Sequence, residues 1–289
     1  MNASRFPQLV TPDSHLNRNP LVPLRHQLLR AVPNCVRLYL LKQGKRLLGS
    51  ANSHPMDQRS VLAVSTFDGF AVAYRQGTAD EDVLKHSFEN DMFFSGMPDY
   101  RPGERDVILD VGAHIGTFSM LAARFATHGR VYSVEASQDT FNFLRINAAL
   151  NPQLPMVPVH LALSDHDGSI TLHHDSGNWG HSTVKQLSAI SESVKCQSLN
   201  TFFAQQGIES CAFVKFNCEG AEFPILYSAS AETLLSIRRM LILYHCDLWE
   251  KSTELELVDF LERHGFSCEI SNRSELRGWI HAVRPVHLD

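Results

Sequence analysis

The chain has 289 residues, of which 44% are hydrophobic, 20% charged and 9% aromatic. That composition supplies a packed core and excludes a wholly disordered or collagen-like chain. Twenty-six Lys and Arg stand against 31 Asp and Glu, a net charge of −5, which argues against a general nucleic-acid binder.

No apolar run approaches the roughly 20 residues that a membrane-spanning helix needs, and the opening from Met1 to Pro7 leads into no apolar signal segment. The six Cys (35, 196, 211, 218, 246 and 268) form neither a CxxC motif nor a Cys/His ligand spacing. A chain this large needs no covalent staples, so a reducing cytoplasm is the expected address.

Length allows one or two domains, and the texture changes near residue 100. Residues 1–20 are polar, carry three Pro and read as a loose arm. Between Ser14 and Met56 stand seven Lys or Arg and no acid, leaving the rest of the chain 19 basic residues against 31 acidic ones. Leu24, Leu28, Leu29 and Val32, then Val36, Leu38, Leu40 and Leu41, predict one or two amphipathic helices interrupted at Pro33. Residues 21–49 therefore offer peripheral contact with an anionic membrane or an acidic partner. The plainer reading is that their apolar side packs on the chain itself or on a second copy, as a homodimer.

Val61 to Tyr74 predicts a β-hairpin around Asp68-Gly69, and Glu81 to Phe94 a helix. From Val107 onward strands and helices alternate. Strands are expected at 107–111, 131–134, 157–163, 169–173, 212–216 and 240–244, with helices at 118–125, 139–150 and 253–264, the last ended by Gly265. Two closing strands, near 266–270 and 279–283, predict an antiparallel edge on an otherwise mostly parallel α/β sheet.

The turn Asp110-Val-Gly112-Ala113-His114-Ile-Gly116-Thr117-Phe118 joins the first of these strands to its helix. A glycine turn there lets backbone approach a ligand closely and points helix N–H groups at an anion. The spacing Gly112-x-x-x-Gly116 is not the GxGxxG of dinucleotide sites, and Asp110 would repel a pyrophosphate. A ligand carrying one ammonium and one carboxylate suits the turn better, with Asp110 meeting the cation. S-adenosylmethionine is such a ligand. Glu135 ends the next strand 25 residues after Asp110, close to the roughly 20-residue offset of a ribose-binding acid, and a carboxylate there can accept from both ribose hydroxyls.

At these residues the chain resembles the FkbM family of S-adenosylmethionine-dependent methyltransferases. The resemblance runs from about Arg101 to Glu269 through VGAHIGTFS, VYSVEASQDTFNFLRINAALN, LALSDHDGS, VKFNCEGAEFPIL and LILYH. It implies a class I, Rossmann-like methyltransferase fold with a seven-stranded sheet, to which residues 1–100 add the helical and hairpin extension read above. Residues 1–100 would then cap the pocket or form a dimer contact, and 101–289 would be the methyltransferase domain. By resemblance, Asp110 to Phe118, Glu135-Ala136 and Asn217 would hold the cofactor, with Leu163-Ser164 beside the adenine. The family usually has Asn at 114, Asp at 217 and Leu-Asp at 199–200, where this chain has His114, Asn217 and Leu199-Asn200.

Methyl transfer to an alcohol needs donor and acceptor aligned, water excluded and a general base within reach of the hydroxyl. Glu219 and His245 follow strand ends and are the candidate catalytic residues; with a reference pKa near 6.5 the histidine is the better-matched base. Glu222, Trp179, His181 and Asp247 are candidates for the acceptor side, although Glu222 also suits the N-terminus of its own helix. His245, Asp247 and Glu219 are the minor alternative of a hard-cation site; no metal is expected.

The reading adopted is an O-methyltransferase acting on a small-molecule acceptor, a sugar or polyketide-like product. Two others stay open: transfer to a peptide or amide nitrogen, and a binding scaffold that has lost transfer through Asn217. A nicotinamide dehydrogenase is the weakest alternative.

Overall fold

The computed structural model describes residues 61–89, 92–94, 97, 100–175 and 180–285. The basic stretch of residues 21–49 and the candidate Trp179 lie outside the described residues, and among those described no helix is long and apolar enough to cross a membrane.

Strand β3 (Val107–Val111) is the sheet's centre because Ile108, Leu109, Asp110 and Val111 are all buried, the two-sided burial of a parallel strand. On one side lie β4 (Arg130–Glu135) and β5 (Met156–His160), on the other β9 (Phe213–Phe216) and β10 (Arg239–His245), all parallel to it. Then come β12 (Arg277–Val283) and β11 (Ser267–Ser271), giving the order β11-β12-β10-β9-β3-β4-β5. β12 runs antiparallel to both neighbours, the expected C-terminal edge. The chain builds outward from β3 to β5 and returns to β9 on the other side. That reversal puts a crevice at the C-terminal ends of β3 and β9, where open α/β sheets bind ligands.

Helices α2 (Thr117–Ala123), α3 (Gln138–Leu150), α4 (Leu199–Gln206), α5 (Glu222–Tyr227), α6 (Ala231–Leu235) and α7 (Glu254–Arg263) connect the strands. α7 begins with a capping box, Thr253 and Glu256 each bonding the other's main chain, worth about 1 kcal/mol.

The sheets depart from expectation in two places. The strand predicted over 157–163 is two: β5 ends at His160, and β6 (Ala162–Ser164) leaves the sheet to pair with β8 (Ser191–Ser198), which also takes β7 (Gly168–His173). β5 tolerates Pro158 because it is an edge strand. β8, SESVKCQS, is nearly all polar and buries chiefly Val194, Cys196 and Gln197, so hydrophobic alternation does not reveal it.

Ahead of the sheet, β1 (Val61–Phe67) and β2 (Phe70–Gln76) pair around Asp68 and Gly69, whose φ values of 49° and 87° make the expected hairpin turn. Helix α1 (Asp80–Phe88) ends six residues short of the predicted Phe94. The hairpin is fastened to α3 by two asparagines: Asn147 exchanges both hydrogen bonds with the main chain of Ala73 (2.7 and 3.1 Å), and Asn151 does so with Ala71 (3.1 and 2.8 Å). Four helical residues rise about 6 Å and two strand residues about 6.8 Å, so the two pairs are in register.

Candidate active site

A cleft of about 110 Å³ lies at the sheet's C-terminal edge. Gly112, Ala113, His114, Thr117 and Phe118 from the first turn line it, as do Glu135, Ala136, Leu163, Asn217 and Glu219. Gly112 has φ +73°, and a Cβ there would stand 1.9 Å from the Asn217 carbonyl; only glycine lets the two strand ends come this close. Gly116 has φ +92° and the Leu144 side chain at its back.

Glu135 spans the turn. Its Oε2 accepts from the His114 N–H (2.9 Å) and its Oε1 from the Ser137 N–H (2.9 Å). Burial nevertheless pushes its carboxyl above the usual range, despite those bonds and the nearby Lys215 and Arg75. Each oxygen keeps a lone pair for a ligand hydroxyl. Asn217 presents a side-chain carbonyl oxygen that is shut off from solvent and has no hydrogen-bond partner.

Asp110 is placed differently from the expectation. It is fully buried, and its carboxylate accepts from Lys215 Nζ (2.9 Å) and Ser119 Oγ (2.7 Å). Lys215 also donates to the Gly112 carbonyl (2.8 Å). The acid thus braces the turn from beneath rather than facing a ligand. Lys215 is a residue that sequence reasoning missed, although a cation inside the apolar strand FVKF was a visible signal.

A second group of polar residues is built around Glu219. It sits in the left-handed region with φ +51°, and a Cβ on Gly180 would overlap its carboxyl, so a main chain without a side chain covers it. Burial pushes its carboxyl above the usual range, with Glu222 and Asp247 adding to that and His245 and Arg277 opposing it. His245 lies behind it, fully buried: Nε2 is 3.4 Å from Glu219 Oε2 and Nδ1 is 3.0 Å from Glu222 Oε1. Burial alone would favour the neutral ring, but the two carboxylates outweigh it and hold His245 above its ordinary pKa.

Glu222 does not reach the acceptor side, because its oxygens are committed to the His245 main-chain N–H (2.8 Å), the His245 ring and the Gly220 N–H (3.0 Å). Asp247 is held by the Nε and Nη2 groups of Arg277 (3.0 and 2.7 Å), and Nη1 of Arg277 lies 4.0 Å from Glu219. His245 and Asp247 are therefore behind and beside Glu219, not in the cleft wall. His181 does line the cleft, with its ring 4.5 Å from that of His174. Ser164 turns away to bond Asp165 (3.1 Å). Among the described residues no group of three or more His, Cys, Asp or Glu is arranged to hold a metal ion.

The model of the methyltransferase FkbM domain matches residues 110–268, more than half of the chain. The chain belongs to this family. Similar solved structures include the methyltransferase FkbM from Methylobacillus flagellatus KT, at 14% identity and TM-score 0.46, over 66% of this chain and 46% of that one. The chain thus spans less than half the length of that protein. TYW2 from M. jannaschii, solved with AdoMet, matches at 14% identity and TM-score 0.41, over 77% of this chain and 84% of that one. Fibrillarin from Aeropyrum pernix, solved with natively bound S-adenosyl-L-methionine, matches at 13% and 0.42, over 80% and 85%. No curated protein matches the chain. The FkbM domain begins at Asp110, so β1, β2 and α1, whose Val83 also lines the cleft, precede it.

Proposed function

We propose that this chain transfers a methyl group from S-adenosylmethionine to a hydroxyl of a small molecule such as a sugar or a polyketide-like product. The residues of the cleft suit that cofactor: Glu135 for the ribose hydroxyls, Leu163 and Ala136 against the adenine, and the unpartnered oxygen of Asn217 for the amino-acid tail. When bound, S-adenosylmethionine supplies a methyl group already activated by its sulfonium. The turn from Gly112 to Phe118 orients, and the walls around it exclude water.

The observation that carries the reading is Glu219, a cleft-lining carboxylate with a raised pKa backed by a buried imidazole. Ionised Glu219 would take the proton of the acceptor hydroxyl as its oxygen gains the methyl group, the sulfonium–methyl bond breaking to leave S-adenosylhomocysteine. A carboxyl shifted upward is a better base than an ordinary one. His245 keeps the carboxylate in place, and Glu222 fixes His245.

Calorimetry with S-adenosylmethionine and S-adenosylhomocysteine, followed by a screen of hydroxylated acceptors, tests the reading. Glu219→Gln is expected to retain binding of S-adenosylhomocysteine and lose methyl transfer by about 10²–10⁴-fold. A chain that binds neither nucleoside overturns the cofactor assignment; a Gln variant with unchanged rate overturns the base.

A further inference from the structure

Building on that cofactor assignment, we propose that the His114 ring, oriented by Asp80 from helix α1, accepts a hydrogen bond from the ammonium group of the cofactor's amino-acid tail. With Asp110 spent on Lys215 and Ser119, the turn needs another acceptor for a cation, and His114 has the required chemistry.

The residue occupies a left-handed position, φ +53°, with its main-chain N–H locked onto Glu135, so the direction of its Cα–Cβ bond is set. The ring lines the cleft, yet both of its nitrogens are hidden from solvent and neither makes a hydrogen bond. Leaving such atoms unmatched is costly; Nε2 is turned to Asp80, and a ligand group would satisfy Nδ1. Nε2 stands 3.5 Å from Asp80 Oδ1. Asp80 is itself wholly buried and clamped by Arg75, through the main-chain N–H (2.8 Å), Nε (2.9 Å) and Nη2 (2.8 Å). Arg75 is steadied by Thr140 and the Phe143 ring.

The charged groups that face the ring are Asp80, Arg75 and Lys215, and burial, opposed by Asp80, brings its pKa down to about 4. The ring is therefore neutral at pH 7, with one N–H and one lone pair. A carboxylate beside Nε2 places the proton there, which leaves Nδ1 as an acceptor. An acceptor near an anion suits an ammonium and not a carboxylate. Asp80 precedes the residues matched by the family domain, so the extension orients a ligand of the domain's own site.

The test is calorimetry of the full chain and two variants against S-adenosylhomocysteine and against 5′-methylthioadenosine, which lacks the amino-acid tail. His114→Gly keeps the left-handed turn without strain and removes the ring; His114→Asn restores an acceptor one bond beyond Cγ. The Gly variant should bind S-adenosylhomocysteine about tenfold to a hundredfold more weakly, the effect of one hydrogen bond to a charged group, and bind 5′-methylthioadenosine as the unaltered chain does. The Asn variant should recover most of the loss. Nitrogen chemical shifts of the His114 ring should report a proton on Nε2.

Equal affinity of the Gly variant for S-adenosylhomocysteine, an equal loss for both nucleosides, or a proton found on Nδ1 would each overturn the inference while leaving the cofactor assignment standing. Failure of the unaltered chain to bind either nucleoside overturns both.

Discussion

Lys215 and Asp110 are register partners on adjacent strands, and their side chains meet at 2.9 Å with almost no exposure to solvent. The pair joins the two strands whose ends form the crevice, and Lys215 reaches on to the carbonyl of Gly112. Lys215→Met strands a buried carboxylate and is expected to cost about 3–5 kcal/mol, read from the urea midpoint at unchanged m-value. Adding Asp110→Asn should restore part of the loss because the unpaired charge is gone. A single variant within 1 kcal/mol of the parent would show that the pair is not the brace described.

The Glu219–His245 contact makes a prediction about pH. As a base Glu219 must be ionised, so transfer is present above its raised pKa and is lost as pH falls through it. His245 and Arg277 both hold that pKa down against burial. His245→Asn removes the positive partner while keeping a donor for Glu222. The acid limb of kcat against pH is expected to move to higher pH, with affinity for S-adenosylhomocysteine unchanged. An unmoved limb would separate His245 from the base.

The Asn147 side chain holds the hairpin to the body through three hydrogen bonds: two with the main chain of Ala73 and one donated to the Ile115 carbonyl (2.8 Å). Asn147→Leu leaves buried main-chain groups unmatched at both places, an expected loss of about 2–4 kcal/mol. Amide exchange at Ala71 and Ala73 should accelerate more than at Val111 or Val134, which lie in the sheet. Uniform acceleration would mean that the hairpin and the sheet open together.

Local pattern was enough to read the alternation of strand and helix, the Asp68-Gly69 hairpin, the Gly112–Gly116 turn and the acid at 135. Each depends on residues within a few positions of one another: hydrophobic period, positive φ, a strand end. The same is true of the family resemblance, which rests on short runs of sequence. Where local pattern was thin, the reading failed, as at the polar strand β8 and at the break between β5 and β6.

The roles of the polar residues were decided elsewhere. Asp110 was legible as an acid at a glycine turn, but whether it faces a ligand or a lysine depended on Lys215, 105 positions away. His245 was legible as a strand-end histidine, but its contacts with Glu219 and Glu222 put it behind Glu219 instead of in the cleft. Arg277 and Asp80 carried no signal, because nothing near them in the chain announces which loop they will meet. Backbone conformation follows from neighbours in sequence, whereas a side chain's charge state and exposure follow from neighbours in space, and for this cleft those come from strands and helices that only the completed sheet brings together.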